Sequence, residues 1–355
     1  MSSSPPRRIE LAPGYSVSRV MVGFWQLAGG HGRVEKNEAL QAMRSFVEAG
    51  FTTFDCADIY TGVETLIGDF MAKYRSELLS GDLPPVQIHT KYVPDLDTLP
   101  YLKKTDTERI IERSLTRLQV ERLDLVQFHW WDFDIPGYVE AAHHLVDLQK
   151  AGKIHHIGVT NFDAEHLTEL LDAGVPVVSN QVQYSLLDSR PERAMADLSQ
   201  KHGFKLLCYG TLAGGFLTDR WLHKELPSKG LENRSLIKYR LIVDEFGGQG
   251  LFQELLDVIA GIADRRSVSI ADVAIRYVLQ KPSVGGVIIG ARNSRHLSRL
   301  INVFRSGLAN EDLEEIEEVV FRAAGPVGPV FGLERERQGP HGRIMKYNLG
   351  EERSG

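Results

Sequence analysis

The chain has 355 residues, of which 43% are hydrophobic and 25% charged, the composition of a globular protein that can bury a large core. Lys and Arg number 41 against 47 Asp and Glu, a net charge of −6, which argues against a nucleic-acid binder working through a basic surface. Cys56 and Cys208 are the only cysteines, too few for a disulfide framework and too far apart for a CxxC pair, so a reducing compartment, the cytoplasm, is expected. The N-terminal MSSSPPRRIELAPG has no apolar run of signal-sequence length, and no apolar stretch of about eighteen residues suggests a membrane span.

In chain order, IELAPGYSVSRV predicts a hairpin turning at Pro13 and Gly14, placed to plug the bottom of whatever follows. Short runs rich in Val, Ile and Phe come next: VMVGFW from Val20, TTFD from Thr52, VQIHTK from Val86 and LDLVQFH from Leu123. IHHIGVT from Ile154, VVSNQVQ from Val177, KLLCY from Lys205 and GGVIIG from Gly285 complete a set of eight candidate strands. Amphipathic helical stretches alternate with them, among them 35–49, 106–118, 137–150, 190–201 and 270–280. Eight such repeats predict a closed parallel (β/α)8 barrel, an α/β fold, over about 20–305, with a further helix and tail over about 306–355, all in one domain. No GxGxxG follows the first strand, so a Rossmann cofactor site is not expected. The segment from Ala213 to about Gly250 reads as a long insertion after the seventh strand. The tail from Gly325 is too rich in Gly and Pro for a long helix, yet carries Val330, Phe331, Leu333, Ile344, Met345 and Tyr347, which argues against a solvated tail.

In such a barrel the carboxyl ends of the strands carry the chemistry. The second strand closes at Asp55, with Tyr60 five residues on; the third closes at Lys91 and the fourth at His129. Singly, Asp55 could cap a helix, Tyr60 and His129 could be core, and Lys91 could be solvated. Together they converge on one mouth, a coincidence that packing alone does not explain.

The stretches GFTTFDCADIYTGVETLIG, IHTKY and DLVQFHWWD resemble segments of the aldo-keto reductase family, in the same order, over about 20–299. One departure is Thr61, where the family commonly has Gly. The resemblance implies an NADP(H)-dependent oxidoreductase that moves a hydride between nicotinamide and a small carbonyl or alcohol substrate. Hydride addition to a carbonyl leaves an alkoxide, so a proton donor is needed, and Tyr60 is the natural acid. Lys91 would favour the phenolate, Asp55 would hold Lys91, and His129 would orient the oxygen or pass a proton in the oxidative direction. This chemistry needs no metal. A metal site from Asp132, Asp134 or the 143–144 and 155–156 histidine pairs is the weaker alternative, because neighbours on a strand face opposite ways.

The resemblance also implies the cofactor contacts. Phe24 and Trp25 end the first strand; Thr160 and Asn161, at the usual Ser-Asn position, and Gln181 would take the carboxamide. Tyr209 would stack on the nicotinamide, and Gly210, Thr211, Leu212 and Gly214 would lie along the pyrophosphate. Ile289, Gly290, Ala291, Arg292, Asn293, His296 and Arg299 would surround the adenosine 2′-phosphate, with Leu300 standing where an adenine-contacting Asn is usual. Trp25, Tyr60, His129 and Trp130 are expected to line the substrate site, and Trp131 either joins Trp25 and Trp130 in an aromatic rim or faces the barrel wall. Family members pass the segment after the barrel across the mouth, so the tail is expected to cover the substrate pocket; packing on the outside or on a second subunit is the competing reading. Two other functions stay open: an aldose dehydrogenase running toward oxidation, and a redox-sensing nucleotide-binding subunit. The expected partner is a small molecule, neither nucleic acid nor membrane; the number of subunits is not legible.

Overall fold

The computed structural model describes residues 7–29, 35–227, 230–231, 233–305 and 307–349. The hairpin is β1 (Arg8–Ala12) and β2 (Tyr15–Ser18), antiparallel about Pro13 and Gly14. Eight further strands follow: β3 (Val20–Gly23), β4 (Thr53–Asp55), β5 (Gln87–Tyr92), β6 (Leu123–Phe128), β7 (Ile154–Thr160), β8 (Val177–Gln183), β9 (Lys205–Tyr209) and β10 (Val284–Gly290). They pair in sequence, all parallel, and β10 returns to β3 to close the barrel. This is the (β/α)8 fold that the alternating apolar runs predict.

Two apolar clusters organise the interior. The larger lies between the barrel wall and its helices, where outward side chains such as Val126 and Ile157 meet Ile111 and Leu145. Helix ends are set locally: Ser269 and Asp272 form a capping box ahead of Ile270–Leu279, and Asp163 accepts from His166 N ahead of Ala164–Asp172. The smaller cluster is the barrel floor. There Leu11, Tyr15 and Val17 of the hairpin pack on Met21, Leu125, Leu207 and Ile288, so the hairpin seals the amino-terminal end of the strands.

The insertion contains an element that the sequence reading does not assign. Asn233 caps a helix, Arg234–Phe246, whose Leu236, Tyr239, Ile242, Val243 and Phe246 are buried. These recur at helical spacing, so burial of one face explains why the segment folds. The tail lies across the carboxyl end of the barrel. Leu96 N donates to Tyr347 O at 3.0 Å and Leu349 N donates to Asp95 Oδ1 at 2.8 Å, which fixes its far end beside β5.

Candidate active site

The centre of the mouth is a buried ion pair. Lys91 Nζ reaches Asp55 Oδ2 at 2.8 Å and Oδ1 at 3.0 Å, and donates to Cys56 O at 2.8 Å. Burying two charges is costly unless hydrogen bonds offset the lost water. Here Gln127 and Gln181 supply them, each donating from Nε2 to Asp55 Oδ1, at 3.1 and 2.6 Å, while Gln181 Nε2 also meets Gln127 Oε1 at 2.8 Å. Burial alone opposes a charge on Lys91, but Asp55 and then Tyr60 hold the ammonium above its ordinary pKa.

Tyr60 completes this group from the turn after β4. Lys91 Nζ lies 5.2 Å from its ring centroid, and Trp25 stands edge-on to it at 5.1 Å. Burial raises the phenol's pKa and Lys91 lowers it; burial is the larger effect, so the net direction is upward. The lowering that the sequence suggests is present but outweighed, and Tyr60 stays a protonated phenol.

His129 follows β6 on the same side. Its Nδ1 meets Thr160 O at 3.1 Å, and its Nε2 is buried with no hydrogen-bond partner among the described residues. Burial, and after it the charge of Arg335, pushes the imidazole down to about 3. Trp131 stands edge-on to His129 with centroids 4.3 Å apart, and Phe331 of the tail does so at 5.6 Å.

Of the two tryptophans that the sequence places in the rim, only Trp131 stands against His129. Trp130 is fully buried, its Nε1 bonded to Ile135 O at 3.0 Å beside Phe128, so it packs in the wall and does not line the substrate site. Trp131 faces inward. Alternation along β6 turns Gln127 to the same side as the following His129, a signal that would have identified Gln127. Phe24 likewise packs in the core against Phe54, at 5.0 Å, rather than at the mouth, whereas Trp25 sits beside Tyr60.

The expected cofactor residues fall into three groups. Thr160, Asn161, Gln181 and Tyr209 close around the ion pair: Thr160 Oγ1 donates to Gln181 O at 3.1 Å, and Tyr209 Oη donates to Asn161 Oδ1 at 2.8 Å. Asn161 holds a left-handed backbone, φ 62°, that Asn tolerates well. The second group, Gly210, Thr211, Leu212 and Gly214, runs under the insertion helix. A Cβ on Gly210 would come within 2.2 Å of Tyr239 Oη, and one on Gly214 within 2.7 Å of Tyr239 Cδ2. Glycine there is required by the approach of Tyr239. The third group is at the end of β10. Ile289 and Gly290 finish the strand and Ala291 follows it, its N donating to Gly23 O at 3.0 Å. Arg292 is half-buried, while Asn293, His296 and Arg299 are exposed; Asn293 accepts from Arg295 N at 3.1 Å. Leu300 is buried in the core. Among the described residues no group of three or more His, Cys, Asp or Glu side chains is placed to hold a metal ion, and no helix is long and apolar enough to cross a membrane.

Charged residues at the mouth that are not flagged by sequence include Lys238 of the insertion helix, Arg190, and Glu334 and Arg335 of the tail. Glu334 pairs with Arg190 at 3.2 Å and Lys238 at 3.5 Å, and Lys238 Nζ lies 5.1 Å from the Tyr209 ring centroid. Runs such as LERER in a Gly- and Pro-rich tail read as solvated, and only the fold buries them.

A phenol, an ammonium–carboxylate pair and a neutral imidazole gathered at the carboxyl ends of a parallel barrel define a barrel enzyme equipped for proton transfer. The family model described as the aldo/keto reductase family matches residues 19–320, and the chain belongs to that family. It is thus an oxidoreductase acting on carbonyl or alcohol substrates, in a family that uses a nicotinamide cofactor. It is 27% identical over 329 residues to the aldo-keto reductase YhdN of Bacillus subtilis, covering 90% of this chain and 95% of that protein. The chloroplastic pyridoxal reductase of Arabidopsis thaliana is 29% identical over 331 residues, covering 88% of this chain and 86% of its own length. Among solved structures, the glycerol dehydrogenase AKR11B4 of Gluconobacter oxydans superposes with a TM-score of 0.73 at 24% identity, covering 92% of this chain and 98% of that one. At that identity the likeness shows the fold.

Proposed function

We propose that the chain is an NADP(H)-dependent reductase of small aldehydes or ketones, with Tyr60 as proton donor, Lys91 and Asp55 as the charged pair beside it, and His129 next to the reacting oxygen. The observation that carries this reading is the Lys91 ammonium held on both oxygens of Asp55 within 5.2 Å of the Tyr60 ring centroid. A protonated phenol beside an ammonium can give up its proton as negative charge develops on a carbonyl oxygen, and the ammonium stabilises the phenolate left behind.

The donor set fits a nicotinamide. Tyr209 offers an aromatic face, its hydroxyl tied to Asn161, and the Asn161 and Gln181 amides match a carboxamide. Bound nicotinamide supplies or accepts the hydride. Arg292 and the exposed Arg299 offer positive charge suited to a 2′-phosphate, with the exposed His296 beside them, which supports NADP over NAD. Gly210 to Gly214 remains the pyrophosphate segment of this reading, with Tyr239 against it. Trp25 and Trp131 form the aromatic rim of the substrate site, and the tail covers it. One domain spans the chain, and the two free, buried cysteines support a reducing, cytoplasmic setting.

Tyr60→Phe tests the acid directly. The expected outcome is a loss of turnover by about 100-fold or more with NADPH binding nearly unchanged. Retention of more than about a tenth of the wild-type rate rejects Tyr60 as the donor.

A further inference from the structure

The tail brings a further, half-buried cation to the mouth. Arg335 Nη2 donates to the carbonyl oxygens of Trp130 at 3.1 Å and Asn161 at 2.8 Å, the residues that directly follow His129 and Thr160. Its guanidinium lies 4.2 Å from the Phe133 ring centroid and 5.3 Å from that of Phe331, the ring that stands against His129. Glu334 turns the other way, onto Arg190 and Lys238, so the short turn Gly332–Arg335 is held from both sides. One nitrogen bridges the two carbonyls while the guanidinium plane lies against the two rings, a combination that the point charge of a lysine does not reproduce.

The same residue bears on the protonation of His129. The Thr160 carbonyl can only accept, which assigns the proton to Nδ1 and leaves a lone pair on Nε2. A second proton is opposed by burial and by Arg335, and the other side chains against the ring, Trp131 and Phe331, carry no charge.

We propose that Arg335 is a positioning residue of this oxidoreductase: it fixes the chain after β6 and β7 through the Trp130 and Asn161 carbonyls, and its charge adds to the burial that keeps His129 a neutral acceptor at Nε2. His129 then receives a hydrogen bond from an alcohol hydroxyl and does not donate one to a carbonyl oxygen, which leaves Tyr60 as the proton donor. This rests on the reading that His129 faces the reacting oxygen.

Nitrogen-15 NMR of the full chain tests it, with the His129 ring signals assigned by their absence in His129→Gln. In the wild-type protein Nδ1 is expected protonated and Nε2 bare at neutral pH, with the ring still neutral at about pH 5. Arg335→Met should move the His129 titration to higher pH and lower kcat by roughly tenfold to a hundredfold, whereas Arg335→Lys should keep the titration low without restoring kcat. A wild-type ring protonated at Nε2 overturns the proposal whatever the variants do. So does a folded Arg335→Met protein with unchanged titration and kcat. Wild-type turnover in His129→Gln instead sinks the reading of His129, and the NMR result still decides whether Arg335 sets its charge.

Discussion

The mouth and the floor of this barrel hold histidines in similar surroundings, and only the mouth is proposed to carry the chemistry. At the floor, Tyr15 Oη meets His89 Nε2 at 3.0 Å and the Tyr15 ring lies 4.4 Å from that of His156. Burial pushes His89 down to about 3 and His156 to about 4, much as it pushes His129 to about 3 at the mouth. A single strand, β5, contributes His89 to the one end and Lys91 to the other. A buried, neutral imidazole therefore does not mark a site in this fold. The distinguishing feature is the retained charge: the mouth keeps an ammonium–carboxylate pair facing a phenol, while at the floor burial raises Asp124 above its ordinary pKa and the hairpin's apolar side chains close the space. A protein keeps an expensive buried ion pair where its field acts on something.

The comparison breaks hardest at Lys91. Lys91→Met leaves Asp55 buried without its counter-charge, so turnover should fall about 100-fold or more and stability by about 3–5 kcal/mol, read by steady-state kinetics and denaturant unfolding. A normal rate in this variant would mean that the charged pair is structural and the two ends differ less than proposed. Next in size is Arg292→Ala, at the rim of the mouth. It should remove most of an expected tenfold to hundredfold preference for NADPH over NADH, measured as the ratio of kcat/KM values. Equal use of both cofactors by the unmodified protein would count against the 2′-phosphate assignment.

A third prediction separates the two ends by pH. The folded pKa of His89 and of His129 lies below the unfolded value of 6.5, so the unfolded chain binds more protons between the two. The stability these residues contribute is complete above about pH 6.5 and is lost as pH falls toward about 3. His89→Gln and His129→Gln should each flatten the acid side of a plot of thermal midpoint against pH. Only His129→Gln should change turnover; a comparable kinetic loss in His89→Gln would dissolve the distinction. The smallest expected effect is that of Tyr15→Phe, which leaves His89 Nε2 without its partner: a loss of about 1–3 kcal/mol in unfolding experiments with unaltered kinetics.

How far the sequence reaches follows from what each feature depends on. The eight strands, the hairpin at Pro13 and Gly14, and the order of Asp55, Tyr60, Lys91 and His129 along the strand ends depend on local pattern: alternation, turn chemistry and the direction of a parallel strand. All of these are written in neighbouring residues. Gln127 was within reach by the same alternation, two residues before His129. The helix Arg234–Phe246 has helical spacing but is taken for an insertion because the spacing counts only once Tyr239 packs against the loop Gly210 to Gly214. The burial of Glu334 and Arg335, the balance that keeps Tyr60 protonated despite Lys91, and the closing of the mouth by the tail depend on which distant groups meet and how much water they exclude. Desolvation is a property of the assembled surroundings and not of the residue, so the tertiary structure alone decides it.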